Sequence, residues 1–266
     1  NEFRNEGGFS IFMTGSNFYL LSGELATTLT GRYVEFEMQT LSLKEYQDMK
    51  RFLGLEVNPD PVKELDEYIV CGGFPKALDY PRMADKRTYV QSVVNEIFEK
   101  DIRRRVKVKK VSVFNLVRDY VINNFGATVS IANIQDDLEK KQNVRIKRET
   151  LVRYLQILED AKVIRACRRF DVKSRKSLQG EQKYYLSDLS FYFALNTDNR
   201  INYGPVLENI VYIYARSKGY AISVGRIGKL ECDFILRSQD SGYAYIQVAM
   251  TIMNDRSTED REYRPL

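Results

Sequence analysis

Near the end of the sequence three carboxylates are spaced so that they can act together. Glu231 and Asp233 stand two residues apart in ECDFILRS, a run apolar enough to be a strand, so their side chains point to one face. Glu208 lies in VLENIVYIYARSKG, whose apolar spacing is helical. Together they make an acidic cluster of the kind that holds a cation through oxygen ligands. A second group is basic. Arg103, Arg104, Arg105, Lys107, Lys109, Lys147, Arg148, Lys173, Arg175 and Lys176 fall within residues 100–190, where 22 Lys and Arg face 11 Asp and Glu. That stretch carries +11, and the rest of the chain sums to −6 against a total of +5. A basic middle third suits a polyanion, nucleic acid first of all, and a merely solvated charged face is the alternative.

Other chemistries fall away by composition. The 266 residues contain no histidine, which removes Ser-His-Asp and Cys-His nucleophilic sites and the common His-rich metal sites. Cys71, Cys167 and Cys232 are scattered, with no CxxC pair, and read as buried apolar thiols. No GxxxxGK[ST] loop is present, so the cradle for nucleotide phosphates is missing and the chain by itself is expected to bind no cofactor. The apolar runs are far shorter than the ~20 residues of a membrane span, and no basic-then-apolar leader opens the chain. A cytoplasmic protein with no membrane partner is expected. The 18 tyrosines read mostly as core or half-buried sheet residues.

The elements that would position these groups can be read from periodicity. FSIFMTGSN is a short buried strand ending in a turn, and a helix follows to about Leu29. A strand is expected over residues 33–38, and then a helix opening at Ser42 with Glu45 three residues on, a capping box. Residues 59–81 are punctuated by Pro and Gly around one short helix and the tight turn CGGFP. A long helix over about 85–105 turns Tyr89, Val93, Ile97 and Ile102 inward. From Val111 the pattern is helix, helix, helix, then two strand-like runs joined by a polar loop over 173–181. In the third helix Leu151, Tyr154, Leu155 and Leu158 form the apolar stripe. Three helices and a hairpin spell a winged helix-turn-helix, with the third helix for recognition and the loop as the wing. After Gly204 the order is helix, strand, strand, strand, the opening of a mixed α/β domain. Both ends read as truncated.

Taken in order, FMTGSN, LTGRY, LSLKEY, YIVCGGFPKAL, YVQSVVNEIFEKDI and VLENIVYIYARSKGY…GKLECDFIL…YIQVA resemble a family of bacterial and archaeal AAA-type ATPases with a C-terminal domain of unknown function. The resemblance runs through nearly the whole chain. It implies that Asn17 is the sensor that orients the attacking water or γ-phosphate. It also implies that Arg32 is an arginine finger reaching a neighbouring subunit of a homo-oligomer. ATP and Mg²⁺ would then be cofactors of the full-length protein. The order of Glu208, Asp233 and Gln247 resembles the restriction-endonuclease-like fold, whose active members carry E-x-K on the last strand. There the carboxylates hold Mg²⁺ and the lysine positions the water. Here the run is Gln247-Val248-Ala249, so the amide and the methyl speak against hydrolysis, though Glu208, Glu231 and Asp233 remain as a cation site.

The expected class is α+β multidomain. Residues 1–66 are the end of an AAA-type ATPase domain, 67–110 a helical linker or lid, 111–190 the winged helix, and 191–266 a partial endonuclease-like domain. Three functions are in play: a DNA-binding arm of an ATPase, a non-catalytic protein-interaction or self-assembly module, and, with the weakest support, a metal-dependent nuclease. The face on which the basic residues gather separates the first two.

Overall fold

A computed structural model of the chain describes residues 12, 34, 36–99, 110–171, 176–196, 201–227, 230–238 and 242–250. The chain divides into two compact units, Asn1–Glu37 and Met38–Leu266. The second is mixed α/β, and the elements below belong to it. Among the described residues no helix is long and apolar enough to cross a membrane.

Helix α1 (Leu43–Phe52) opens on the expected capping box: Ser42 and Glu45 satisfy each other's backbone N–H groups. Helix α2 (Pro61–Cys71) starts with Asp60 as N-cap and Pro61 in the first turn, where its missing N–H costs nothing. A short 3₁₀ helix (Pro75–Asp79) and α3 (Met83–Glu96) follow. The α3 stripe differs from expectation: Val90, Val94 and Phe98 are buried, while Tyr89, Val93 and Ile97 lie half-buried beside them. The two stripes are one residue apart around the helix, which packs against α2, the 3₁₀ helix and α7.

Next come α4 (Val111–Asn123), β1 (Thr128–Ser130), α5 (Ile131–Gln142), α6 (Arg148–Asp160), β2 (Ile164–Asp171) and β3 (Lys176–Leu186). Ser130 caps α5 by accepting from the Asn133 N–H, and Asn143 ends it in the left-handed conformation. Then follow α7 (Ser190–Leu195), α8 (Tyr203–Ser217), β4 (Ala221–Ile227), β5 (Leu230–Ser238) and β6 (Gly242–Ile246). Positions 34 and 36–38 lie outside any strand, contrary to the strand expected over 33–38, and Phe36 and Met38 are exposed. Most of the polar loop expected over 173–181 is strand instead. Phe170 and Asp171 pair with Ser177 and Lys176, so ladder hydrogen bonds override a composition that reads as loop.

All six strands form one sheet in the order β1-β3-β2-β4-β5-β6. Neighbours are antiparallel except β2 and β4, where Arg169–Asp171 run parallel to Val224–Arg226. The sheet joins strands from both sides of residue 190, β1–β3 before it and β4–β6 after it. The main core joins α2 to α7 with the strand ends; a smaller core of Cys167, Tyr185, Tyr212, Val224 and Phe234 lies between α8 and the sheet.

Two polar fasteners hold the layers. The first is at the CGGFP turn. Gly73 N–H donates to Asp188 Oδ2 at 2.8 Å, and Ser190 N–H donates to Oδ1 of the same buried carboxylate at 2.9 Å. Leu41 N–H donates to Gly73 O at 2.8 Å, and Tyr68 Oη–H donates to Leu41 O at 2.9 Å. The second is Asn209 on α8, fully buried. Its Nδ2 donates to Leu186 O at 3.0 Å and its Oδ1 accepts from Leu186 N–H at 2.7 Å. The side-chain amide stands where the backbone of a further strand would be, because β1 covers β3 only from Glu181 to Lys183.

Candidate functional site

The packing of α6 decides what it shows to solvent. Leu151, Tyr154, Leu155, Ile157 and Leu158 are buried, so Arg148, Glu149, Val152, Arg153 and Gln156 are left on the outer face, with Lys147 at the N-cap. The surrounding cations are mostly spoken for. Arg145 pairs with Glu139 at 2.6 Å, Lys141 with Asp137 at 2.6 Å and Lys140 with Asp136 at 3.7 Å. Lys147, Arg148 and Arg153 form no ion pair among the described residues. Their charge, at one end and along one face of a helix, is available to an anion.

Of the basic residues expected to meet nucleic acid, Lys147 and Arg148 lie on this face. Arg103, Arg104, Arg105, Lys107, Lys109, Lys173 and Arg175 fall outside the described residues, as do Asn17 and Arg32. Lys176 opens β3, paired in register with Asp171. Arg153 was not foreseen, although the stripe through Leu151, Tyr154 and Leu155 already left its side free.

The three carboxylates come together with partners the spacing did not reveal. Glu208 projects from α8, and Glu231 and Asp233 from β5. Lys183 of β3 extends between them, its Nζ 3.0 Å from Glu208 Oε2 and 3.0 Å from Glu231 Oε1. Tyr185, two residues further along β3 on the same face, donates to Glu208 Oε2 at 2.9 Å. Arg169 of β2 donates from one terminal nitrogen to Glu231 and from the other to Glu181 at 2.7 Å. The Lys183 side chain is only 6% exposed. Burial alone would lower its pKa, but the charges of Glu208 and Glu231 and their hydrogen bonds outweigh this and raise it.

Asp233 is engaged differently. Its Oδ2 accepts from the Val248 N–H at 2.8 Å, and its own N–H donates to Gln247 Oε1 at 3.3 Å. Burial pushes its pKa up to about 6. Gln247, Val248 and Ala249 lie just beyond β6, outside any strand. Among the described residues no three Asp, Glu, His or Cys side chains are arranged to hold a metal ion. At the cation cluster expected of Glu208, Glu231 and Asp233, the Lys183 ammonium stands where the two glutamates converge, and the Val248 amide donates to Asp233. The signal for Lys183 was present in QKYYL, whose alternation puts Lys183 and Tyr185 on one face.

Asp233 makes a pH prediction. An acid with a raised native pKa keeps its proton where the unfolded chain, at 3.8, would lose it. Folding is therefore favoured as pH falls through about 6 and disfavoured above it. Asp233→Asn keeps an acceptor for Val248 and is expected to stabilise the fold above that pH by on the order of 1 kcal/mol. Below the unfolded-state value the gain should vanish. Thermal unfolding across the pH range checks this, and a gain that persists unchanged in acid would refute it.

Comparison with known families places residues 62–201 in a match to a "Domain of unknown function (DUF8612)" and residues 1–47 in a match to an "AAA domain". An uncharacterized protein of Haemophilus influenzae is 33% identical over 263 residues, 98% of this chain and 64% of its own length. An uncharacterized protein of Methanocaldococcus jannaschii is 31% identical over 221 residues, 81% of this chain and 49% of its own length. The chain thus spans about half to two thirds of these relatives.

Proposed function

The chain belongs to the DUF8612 family, and from that footing we propose that it is the DNA-engaging arm of an AAA-type ATPase, with α6 as the element that meets the nucleic acid. The observation that carries this reading is the outer face of α6, where Lys147, Arg148 and Arg153 lie without acidic partners among the described residues. Its setting supports it. The succession α4, β1, α5, α6, β2, β3, with strands ordered β1-β3-β2, is the grammar of a winged helix, in which the third helix enters the major groove. The AAA-domain match at residues 1–47 supports the ATPase half. In the full-length protein ATP and Mg²⁺ would be the cofactors, and Asn17 and Arg32 the sensor and the finger, the latter serving a neighbouring subunit of a homo-oligomer.

A salt-titrated binding assay with duplex DNA tests the reading. Affinity should fall steeply with salt, because phosphate contacts release counterions. Each of Lys147→Ala, Arg148→Ala and Arg153→Ala that removes a phosphate contact should flatten the log–log slope by about one. Undetectable binding, or a slope that ignores all three substitutions, would overturn it. The rival reading, a protein-interaction surface, draws on Val152, which is 46% exposed in the middle of the same face beside Glu149.

A further inference from the structure

The restriction-endonuclease-like order of Glu208, Asp233 and Gln247 implies Mg²⁺, and the donor set does not fit it. A divalent ion needs carboxylate oxygens that are free to converge on it. Here Glu208 Oε2 receives both Lys183 and Tyr185, and the two Glu231 oxygens receive Lys183 and Arg169. Asp233 Oδ2 receives the Val248 amide. We infer that Lys183 is the built-in cation of this site: its ammonium replaces the metal, and the carboxylates serve to fasten the β2–β3 hairpin to α8 and β5.

Three features support this beyond proximity. Lys183 reaches the cluster from β3, separated from β5 in the sheet by β2 and β4, so its ion pairs span elements that no ladder hydrogen bond joins. Arg169 adds a second cation from β2, holding Glu231 and Glu181 together. Both cations lie on the hairpin and share Glu231 of β5; Lys183 also holds Glu208 of α8, and Arg169 also holds Glu181 of β3. Two little-exposed cations thus hold three carboxylates, and removing Lys183 leaves Glu208 without an ion-pair partner among the described residues. The unit is thereby metal-independent and works as a scaffold.

The test uses the chain itself, with Mn²⁺ as a paramagnetic probe and Mg²⁺ in melting experiments against a monovalent-salt control of equal ionic strength. The unsubstituted chain should bind no Mn²⁺ in the millimolar range at this cluster and should show no Mg²⁺-specific rise in Tm. Lys183→Met should lower Tm, since Glu208 then loses its ammonium and faces Glu231, which keeps only Arg169. Adding Glu208→Gln and Glu231→Gln to Lys183→Met should recover much of that loss, because the repulsion disappears. Lys183→Arg should retain more of the wild-type Tm than Lys183→Met. The inference is overturned if the unsubstituted chain binds Mn²⁺ and Glu231→Gln or Glu208→Gln abolishes that binding. It is equally overturned if the three substitutions act additively on Tm, since that would mean no coupling through the ammonium. If Lys183→Met does not fold, the triple variant and the wild-type metal titration still decide.

Discussion

Gly72→Ala is expected to be the most damaging single substitution at the junction between α2 and the start of α7, costing on the order of 3–5 kcal/mol. Gly72 caps α2 with φ 71° and ψ −169°, a region essentially closed to residues with a Cβ. An added Cβ would also lie 1.9 Å from Asp188 Oδ1. The carboxylate would have to move away and release the Gly73 and Ser190 amides it accepts from. Backbone strain and lost hydrogen bonds therefore act together. The two can be separated by a double-mutant cycle with Asp188→Ala: the steric part of the Gly72→Ala cost should shrink once the carboxylate is gone, leaving the conformational part. Urea unfolding of the four proteins measures it. A cost below about 1 kcal/mol, or strict additivity, would show that Asp188 does not read this turn.

Asn209→Ala should come close behind. It leaves both backbone groups of Leu186 buried without a partner, at about 1–3 kcal/mol each. Asn209→Leu should not repair it, because the loss is of hydrogen bonds more than of volume. Hydrogen exchange gives a local readout: the Leu186 amide should lose protection in Asn209→Ala more than its neighbours in β3 that keep their ladder bonds. An unchanged Leu186 exchange rate would mean that water or a shift of β1 replaces the side chain, and the assignment would be wrong.

Local features carried most of the legible fold. The Ser42–Glu45 box, the Ser130 cap and the Leu151–Leu158 stripe are written within a few residues of one another, and each stands as read. What could not be read was set by partners far along the chain. Lys176 and Ser177 are polar, yet they are strand, because Asp171 and Phe170 of β2 offer them a ladder. Gln247 to Ala249 continue an apolar alternation, yet they leave the strand to wrap Asp233. The site divides the same way. The spacing of Glu231 and Asp233 put both on β5 correctly, but nothing near them in the sequence announces the cation that meets Glu231 and Glu208. Lys183 lies in a different element, on the far side of two strands. A search for acids with metal-ligand spacing has no means of finding an ammonium that comes from elsewhere and neutralises them.

The parallel pairing of β2 with β4 bears on how the chain folds. β1, β2 and β3 assemble with α4, α5 and α6 from contacts close in sequence, whereas β4 reaches β2 only after β3, α7 and α8 have been laid down. Non-local pairings of this kind must meet their loop-closure entropy before any contact rewards them, and so form late. Until then the outer edge of β2 presents unpaired amides and carbonyls next to Arg168 and Arg169. Such an edge invites strands from other molecules, and positive charge along it is one of the ways a protein discourages them. The arginine that finally ties down Glu231 would thus act first as a guard on an open edge.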